Sequence, residues 1–246
     1  MIEKGNHEID RENTGLFLSS LSAGLDIGFG PLLMGVLLTL STGSYGDLGT
    51  ELLLAGAYSV GFIFVILGRS ELFTEHTTLA VMPVIDGKAS LKKLGRLWSI
   101  VYAGNILGGV LFAGMAVILI PGLGVIEKTA FETIAHKMIA PQPQHLLVAG
   151  IFAGWLMGLL AWLVTSAKNT IGRLALILMV TATIGMLHLP HSIAGNVEVL
   201  LGLLTSTTIT PTNYITFLTL STIGNAIGGA IFVGLMKYGH VTRGAK

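Results

Sequence analysis

Two clusters of ionisable and hydroxyl side chains lie inside long apolar stretches, and they are where this chain could do chemistry. The first is Arg69-Ser70-Glu71-Leu72-Phe73-Thr74-Glu75-His76; the second is His188-Leu189-Pro190-His191-Ser192. An imidazole changes charge near neutral pH and can pass a proton to a small solute. A hydroxyl both donates and accepts a hydrogen bond. His191 is the strongest candidate for a pore or proton role, because its alternative to a partner is lipid and it sits beside a predicted break. His188, three residues earlier, is ambiguous. Thr74 offers a hydroxyl on the first break, either to a solute or as a local cap. Arg69, Glu71 and Glu75 read as a buried ion-pair network holding the loop. Asp26 is isolated in its apolar stretch and needs a donor.

The same residues raise an intramembrane metalloenzyme, since Glu75, His76, His188, His191 and Glu198 are all metal-competent. There is no His-Glu-x-x-His motif, and His188 and His191 flank Pro190, which spoils a regular ligand helix. A serine-type intramembrane protease lacks its Gly-x-Ser-x-Gly motif beside a histidine. No catalytic residue, metal site or cofactor is assigned.

The elements that must hold these clusters are membrane spans. Charged residues are 11% and apolar residues 52% of the 246, about half the charge of a soluble domain. Mean hydropathy is +0.78. Six segments reach the roughly 20 residues that a bilayer core requires: 15–42, 48–82, 94–120, 144–166, 171–204 and 212–238. The second and fifth are too long for one straight helix and contain the clusters, so both are expected to be broken. A break at membrane depth is tolerated only inside protein or beside a cavity. The first fourteen residues are too charged for a secretion signal, and there is no cysteine for disulfide or thiol chemistry. Six crossings put eleven Lys and Arg on the side of the termini and two, Lys128 and Lys137, on the other. That bias predicts cytoplasmic termini. The expected organisation is one all-α transmembrane domain over 1–246, with a cytoplasmic segment 1–14 and two halves, 15–120 and 144–238.

The halves repeat a motif. Gly104-Asn105-Ile106-Leu107-Gly108-Gly109 returns 120 residues later as Gly224-Asn225-Ala226-Ile227-Gly228-Gly229. Ala23-Gly24 resembles Ala153-Gly154 more weakly. Three spans per copy is an odd number, so the second copy enters from the opposite face, an inverted repeat. The glycine pairs allow close helix packing. Asn105 and Asn225 are buried amides that need partners, and bracing the breaks or lining a pore are both open to them.

Ser70-Glu71-Leu72-Phe73-Thr74, the paired Gly-Asn-x-x-Gly-Gly motifs and His191-Ser192-Ile193-Ala194 resemble the formate/nitrite transporter family, and Gly68 to Glu75 look most like its YfdC-type branch. The resemblance runs over about residues 14–240. It implies an aquaporin-like protomer in a homopentamer of the inner membrane, carrying small monovalent anions such as formate or nitrite. By that resemblance Thr74 and His191 occupy the two broken loops, Lys137 draws anions into the outer vestibule, and Asn225 matches a pore-region asparagine. Tyr58, Phe62, Phe73 and Ile184 match the apolar constrictions. Two positions depart from the family pattern. Pro190 stands where a glutamate commonly precedes the histidine, and Gly154 matches an asparagine of span four. Asp26, in the span that mirrors span four, is a candidate substitute partner for His191. The expected mechanism is desolvation of a weak-acid anion, protonation from water or through His191, and passage as the neutral acid. The alternative is a channel for water or another small neutral solute.

Overall fold

The computed structural model of the protein describes residues 2–41 and 46–243, and among these it is helical with no strand. Thr42, the expected end of span one, lies outside the described residues, as do Met1 and the C-terminal 244–246.

The chain opens with a short helix, α1 (Ile2–Ile9), then α2 (Asn13–Asp26) and α3 (Phe29–Ser41). Composition gave no sign of α1, yet it folds back onto the bundle. Ile9 is 1% exposed and Glu8 is 7% exposed. Arg96 holds the end of α1, donating from Nη2 to the Ile9 carbonyl (2.5 Å) and from Nη1 to Asn13 Oδ1 (2.6 Å). The junction of α2 and α3, at Ile27 and Gly28, was not anticipated. A Cβ at Gly28 would enter the Phe112 ring, so glycine is required where the two segments meet. Pro31 falls in the first turn of α3, where a missing N–H costs nothing.

The first broken span follows as α4 (Gly46–Gly68), α5 (Phe73–Leu79) and α6 (Val81–Ile85). Next come α7 (Leu91–Leu123), α8 (Lys128–Ile139) and α9 (Pro143–Ser166). Ser90 caps α7 by accepting from the Lys93 N–H, and Gly124 ends it at φ 66°, a left-handed position that suits glycine. The second broken span is α10 (Thr170–Met186) and α11 (Ser192–Thr205), 17 and 14 residues. Neither half reaches the roughly 20 residues that cross a bilayer alone. Five helical stretches do: Asn13–Ser41, Gly46–Gly68, Leu91–Leu123, Pro143–Ser166 and Pro211–His240. The last begins as α12 (Pro211–Ile227), with a reciprocal Thr210/Asn213 capping box. It continues through a π-helical turn (Gly228–Leu235) into α13 (Met236–Arg243).

Glycine sets the closest approaches, as expected in a lipid-embedded bundle. A Cβ at Gly24 would strike the Asn105 carbonyl, and one at Gly154 would strike the Asn225 carbonyl. The α2–α7 and α9–α12 crossings are thus the same contact in each half.

Candidate functional site

The two breaks are built alike. At the first, the Ser70 N–H reaches back to the Val65 carbonyl (3.0 Å) and Arg69 takes φ 60°. At the second, the Leu189 N–H reaches the Ile184 carbonyl (3.0 Å) and His188 takes φ 49°. These are six-to-one helix terminations on left-handed residues that are not glycine, a conformation costing roughly 1–2 kcal/mol each.

Each exposed backbone is then satisfied by one asparagine. Asn105 Oδ1 accepts from the Phe73 N–H (2.8 Å), and its Nδ2 donates to the carbonyls of Glu71 (2.8 Å) and Ser20 (2.7 Å). Asn225 Oδ1 accepts from the Ser192 N–H (2.8 Å), and its Nδ2 donates to Pro190 (2.9 Å) and Gly150 (2.9 Å). Both side chains are fully buried. All the hydrogen-bonding capacity of Asn225 that these bonds use goes to backbone, so its observed place is that of a brace. Pro190, lacking an N–H, leaves the break one donor fewer to satisfy.

The breaks meet at Thr74 and His191. Thr74 is 0% exposed and His191 is 1% exposed, and Thr74 Oγ1 lies 2.8 Å from His191 Nε2. His191 is the N-cap of α11, with Nδ1 accepting from the Ala194 N–H (3.2 Å). That bond fixes the tautomer of the neutral ring: Nδ1 accepts, so the proton is on Nε2. Nε2–H therefore donates to Thr74 Oγ1, and the hydroxyl proton of Thr74 remains free to turn toward another acceptor. The Phe62 ring stands edge-on to the imidazole, 5.0 Å away, and Tyr58 packs on Phe62 at 5.1 Å. Tyr58, Phe62, Phe73 and Ile184 are all at most 4% exposed. Phe73 turns toward α7, with its ring at 5.8 Å from Trp98 and 5.1 Å from Tyr102.

Charged groups gather on either side of this apolar layer. On the side of α1, Glu71 bonds Arg11 through Oε1 and His76 Nε2 through Oε2 (2.5 Å), and Arg11 also pairs with Glu8 at 2.8 Å. Glu8, Arg69, Glu75 and Arg173 help line a cavity of about 360 Å³ there. On the side of α8, Lys137 pairs with Glu51 Oε1, and His188 Nε2 lies 3.2 Å from Glu51 Oε2.

The profile described as "Formate/nitrite transporter" matches residues 1–239. The chain belongs to the formate/nitrite transporter family. The "Inner membrane protein YfdC" of Escherichia coli is 30% identical over 243 residues, covering 97% of this chain and 76% of that protein. The "Formate channel FocA" of Haemophilus influenzae is 25% identical, covering 90% of this chain and 84% of that one. Among solved structures, an "FNT family ion channel" matches with a TM-score of 0.82 at 21% identity, covering 96% of this chain and 95% of that one. A "Pentameric formate channel with formate bound" matches at 0.77 and 23%, covering 92% and 96%. These matches show a shared all-helical fold.

As a formate/nitrite transporter family member, the chain differs from several sequence-based expectations. Arg69 is exposed and, among the described residues, makes no ion pair; the cation on Glu71 is Arg11 from the N-terminal segment. Its left-handed backbone turns Arg69 out of the loop. Asp26 accepts from Ser22 Oγ one turn earlier on α2 (3.1 Å) and is not among the groups that touch His191, so it is no substitute partner. Gly154 lies against the α12 backbone, where an asparagine has no room. Of the metal-competent residues, His76 bonds Glu71, Glu75 lines the cavity beside it, and His188 lies by Glu51 and shares a small cavity with Glu198. Among the described residues no group of three His, Asp or Glu could hold a metal ion. Glu51 and Glu8 carried no signal because Lys and Arg alone bear on topology, and Arg11 counted only as one of the cytoplasmic cations. Glu198 entered it only as a metal ligand.

Proposed function

We propose that this protein conducts small monovalent anions of weak acids, formate- or nitrite-like, and passes them across its central layer as the neutral acid. The single observation carrying this is the buried Thr74–His191 hydrogen bond, 2.8 Å long, at the meeting of two braced breaks. An ion in an apolar layer costs at least about 2.5–3.5 kcal/mol, roughly 70- to 400-fold in rate, whereas the protonated acid escapes that penalty. The Nε2–H of His191 holds Thr74 Oγ1 as an acceptor, so the Thr74 O–H is free to meet the permeant oxygen. Phe62 and Tyr58 keep water from solvating the anion at that point. Desolvation favours protonation of the entering weak acid before it reaches the layer. The positive N-terminal ends of α5 and α11 favour an anion nearby. Relatives named as a formate channel and nitrite transporters support this substrate class.

On the same reading the halves form an inverted repeat, the protomers assemble as pentamers like the solved formate channel, and both termini lie in the cytoplasm of a cell whose inner membrane houses the protein. The cavity shared by Lys4, Arg69 and Arg173 supports placing the N-terminus and the 166–173 loop on one side. The deciding experiment is a proteoliposome flux screen of formate, nitrite, acetate, hydrosulfide and water, with and without a pH gradient. Proton-coupled uptake of formate or nitrite is the expected result. Flux of water alone would replace this reading with a neutral-solute channel.

A further inference from the structure

Glu198 has no place in the steps above, and its surroundings are unusual for a carboxylate. It is 1% exposed, and its Oε2 is buried with no hydrogen-bond partner. It sits on α11 seven residues beyond His191, two helical turns or about 10 Å along the helix. Its side chain lines a small cavity with Met34, Leu38, Leu54, Met138, Lys137 and His188. That cavity is about 10 Å³, the size of a single water at most. An ionised carboxylate buried there with a bare oxygen is costly, which favours the carboxylic acid. Lys137, the cation facing it, is already engaged by Glu51, which also faces His188. Several other titratable groups on elements packed against α11 have partners of their own. Tyr102 bonds Thr222, Tyr214 bonds Asn196, Glu132 and His136 bond Thr208, and His76 bonds Glu71. Glu75 lines the cavity on the α1 side.

We infer that Glu198 is a proton donor to the permeant on the α8 side, delivering the proton that lets the anion enter the apolar layer as a neutral acid. This rests on the reading under Proposed function and supplies the proton donor that it leaves unnamed. In the step, the O–H bond of the Glu198 carboxylic acid breaks and the proton bonds to the anion's oxygen. The acid HA leaves toward Phe62 and Thr74, and a carboxylate remains beside Lys137. A proton from water on the α8 side then restores the acid. One proton moves with each anion. Lys137 lines the same cavity as the transient carboxylate.

The test compares formate uptake by proteoliposomes of the whole protein and of Glu198→Gln, a near-isosteric change with no transferable proton. At about pH 8, where free acid is scarce, E198Q is expected to fall at least about tenfold below wild type. At about pH 5, where solution supplies the acid, the two should agree within about twofold. Infrared spectra should show a carboxylic C=O band in wild type that E198Q lacks. A loss of equal size at both pH values, no loss at either, or a band indifferent to the substitution would overturn the inference. Wild type that moves formate with a proton while E198Q keeps the same pH profile removes this inference and leaves the transport reading intact. Wild type that moves no formate removes both.

Discussion

Removing the amide of Asn225 should unfold the second break before it alters any permeant contact. Asn225→Ala strips two backbone groups at the break of their partner, the Ser192 N–H and the Pro190 carbonyl, and removes a second bond from the Gly150 carbonyl within α9. All lie where no water is at hand, against a side chain that is 0% exposed. A buried polar group left unpaired costs about 1–3 kcal/mol, so even the low end sums to about 2 kcal/mol. In a chain of this size each kcal/mol moves the melting temperature by roughly 2–4 °C, which puts the expected drop at roughly 4–8 °C. The assay is the thermal unfolding of detergent-purified protein, read by fluorescence-detected size exclusion, with flux measured on the same samples. Asn225→Asp serves as a second arm. It keeps an acceptor for Ser192 but sets an oxygen against two carbonyls, so it should not rescue stability. Asn105→Ala should behave the same way, since its three bonds are the counterparts in the first half. A drop below about 2 °C accompanied by loss of flux would refute the bracing argument and place Asn225 in the permeant's path.

His191→Asn should fold, because asparagine is itself a good N-cap for α11, yet transport should lose its wild-type pH dependence between about pH 5 and 8; His191→Phe should abolish flux, and unchanged flux in both would make His191 purely structural. Lys137→Ala leaves Glu51 facing the mouth without its cation, so uptake should fall most at low anion concentration and low salt. Glu51→Gln should do the reverse, and identical concentration curves would remove the pair from the entry path. Gly154→Asn should not improve transport; it forces a side chain into the α12 backbone and should destabilise by about 1–3 kcal/mol or more, checked by melting temperature.

Much of this architecture is legible in the sequence because lipid leaves few options for a polar residue. Hydropathy marks the apolar stretches, and the clusters at 69–76 and 188–192 mark both breaks to within a few residues. The repeated asparagine pointed to a shared task; the contacts show that task to be backbone bracing. Pairings were not legible. Arg11 and Glu71 are sixty residues apart, Glu51 and Lys137 eighty-six, and no periodicity connects them. The short α1 helix was hidden by its charge, which reads as solvated tail until Arg96 and Arg11 are seen to fasten it. The α2–α3 junction left only a glycine as its trace.

The braces also imply an order of assembly. Every partner of Asn105 belongs to the first half of the chain, and every partner of Asn225 to the second. Each half can therefore finish its own discontinuity as soon as it emerges, without waiting for the other. The Thr74–His191 bond is different: it joins the halves, as does the bond from Thr78 Oγ1 to the Gly229 carbonyl (2.8 Å). The Thr74–His191 pair thus comes into being only when the two halves dock.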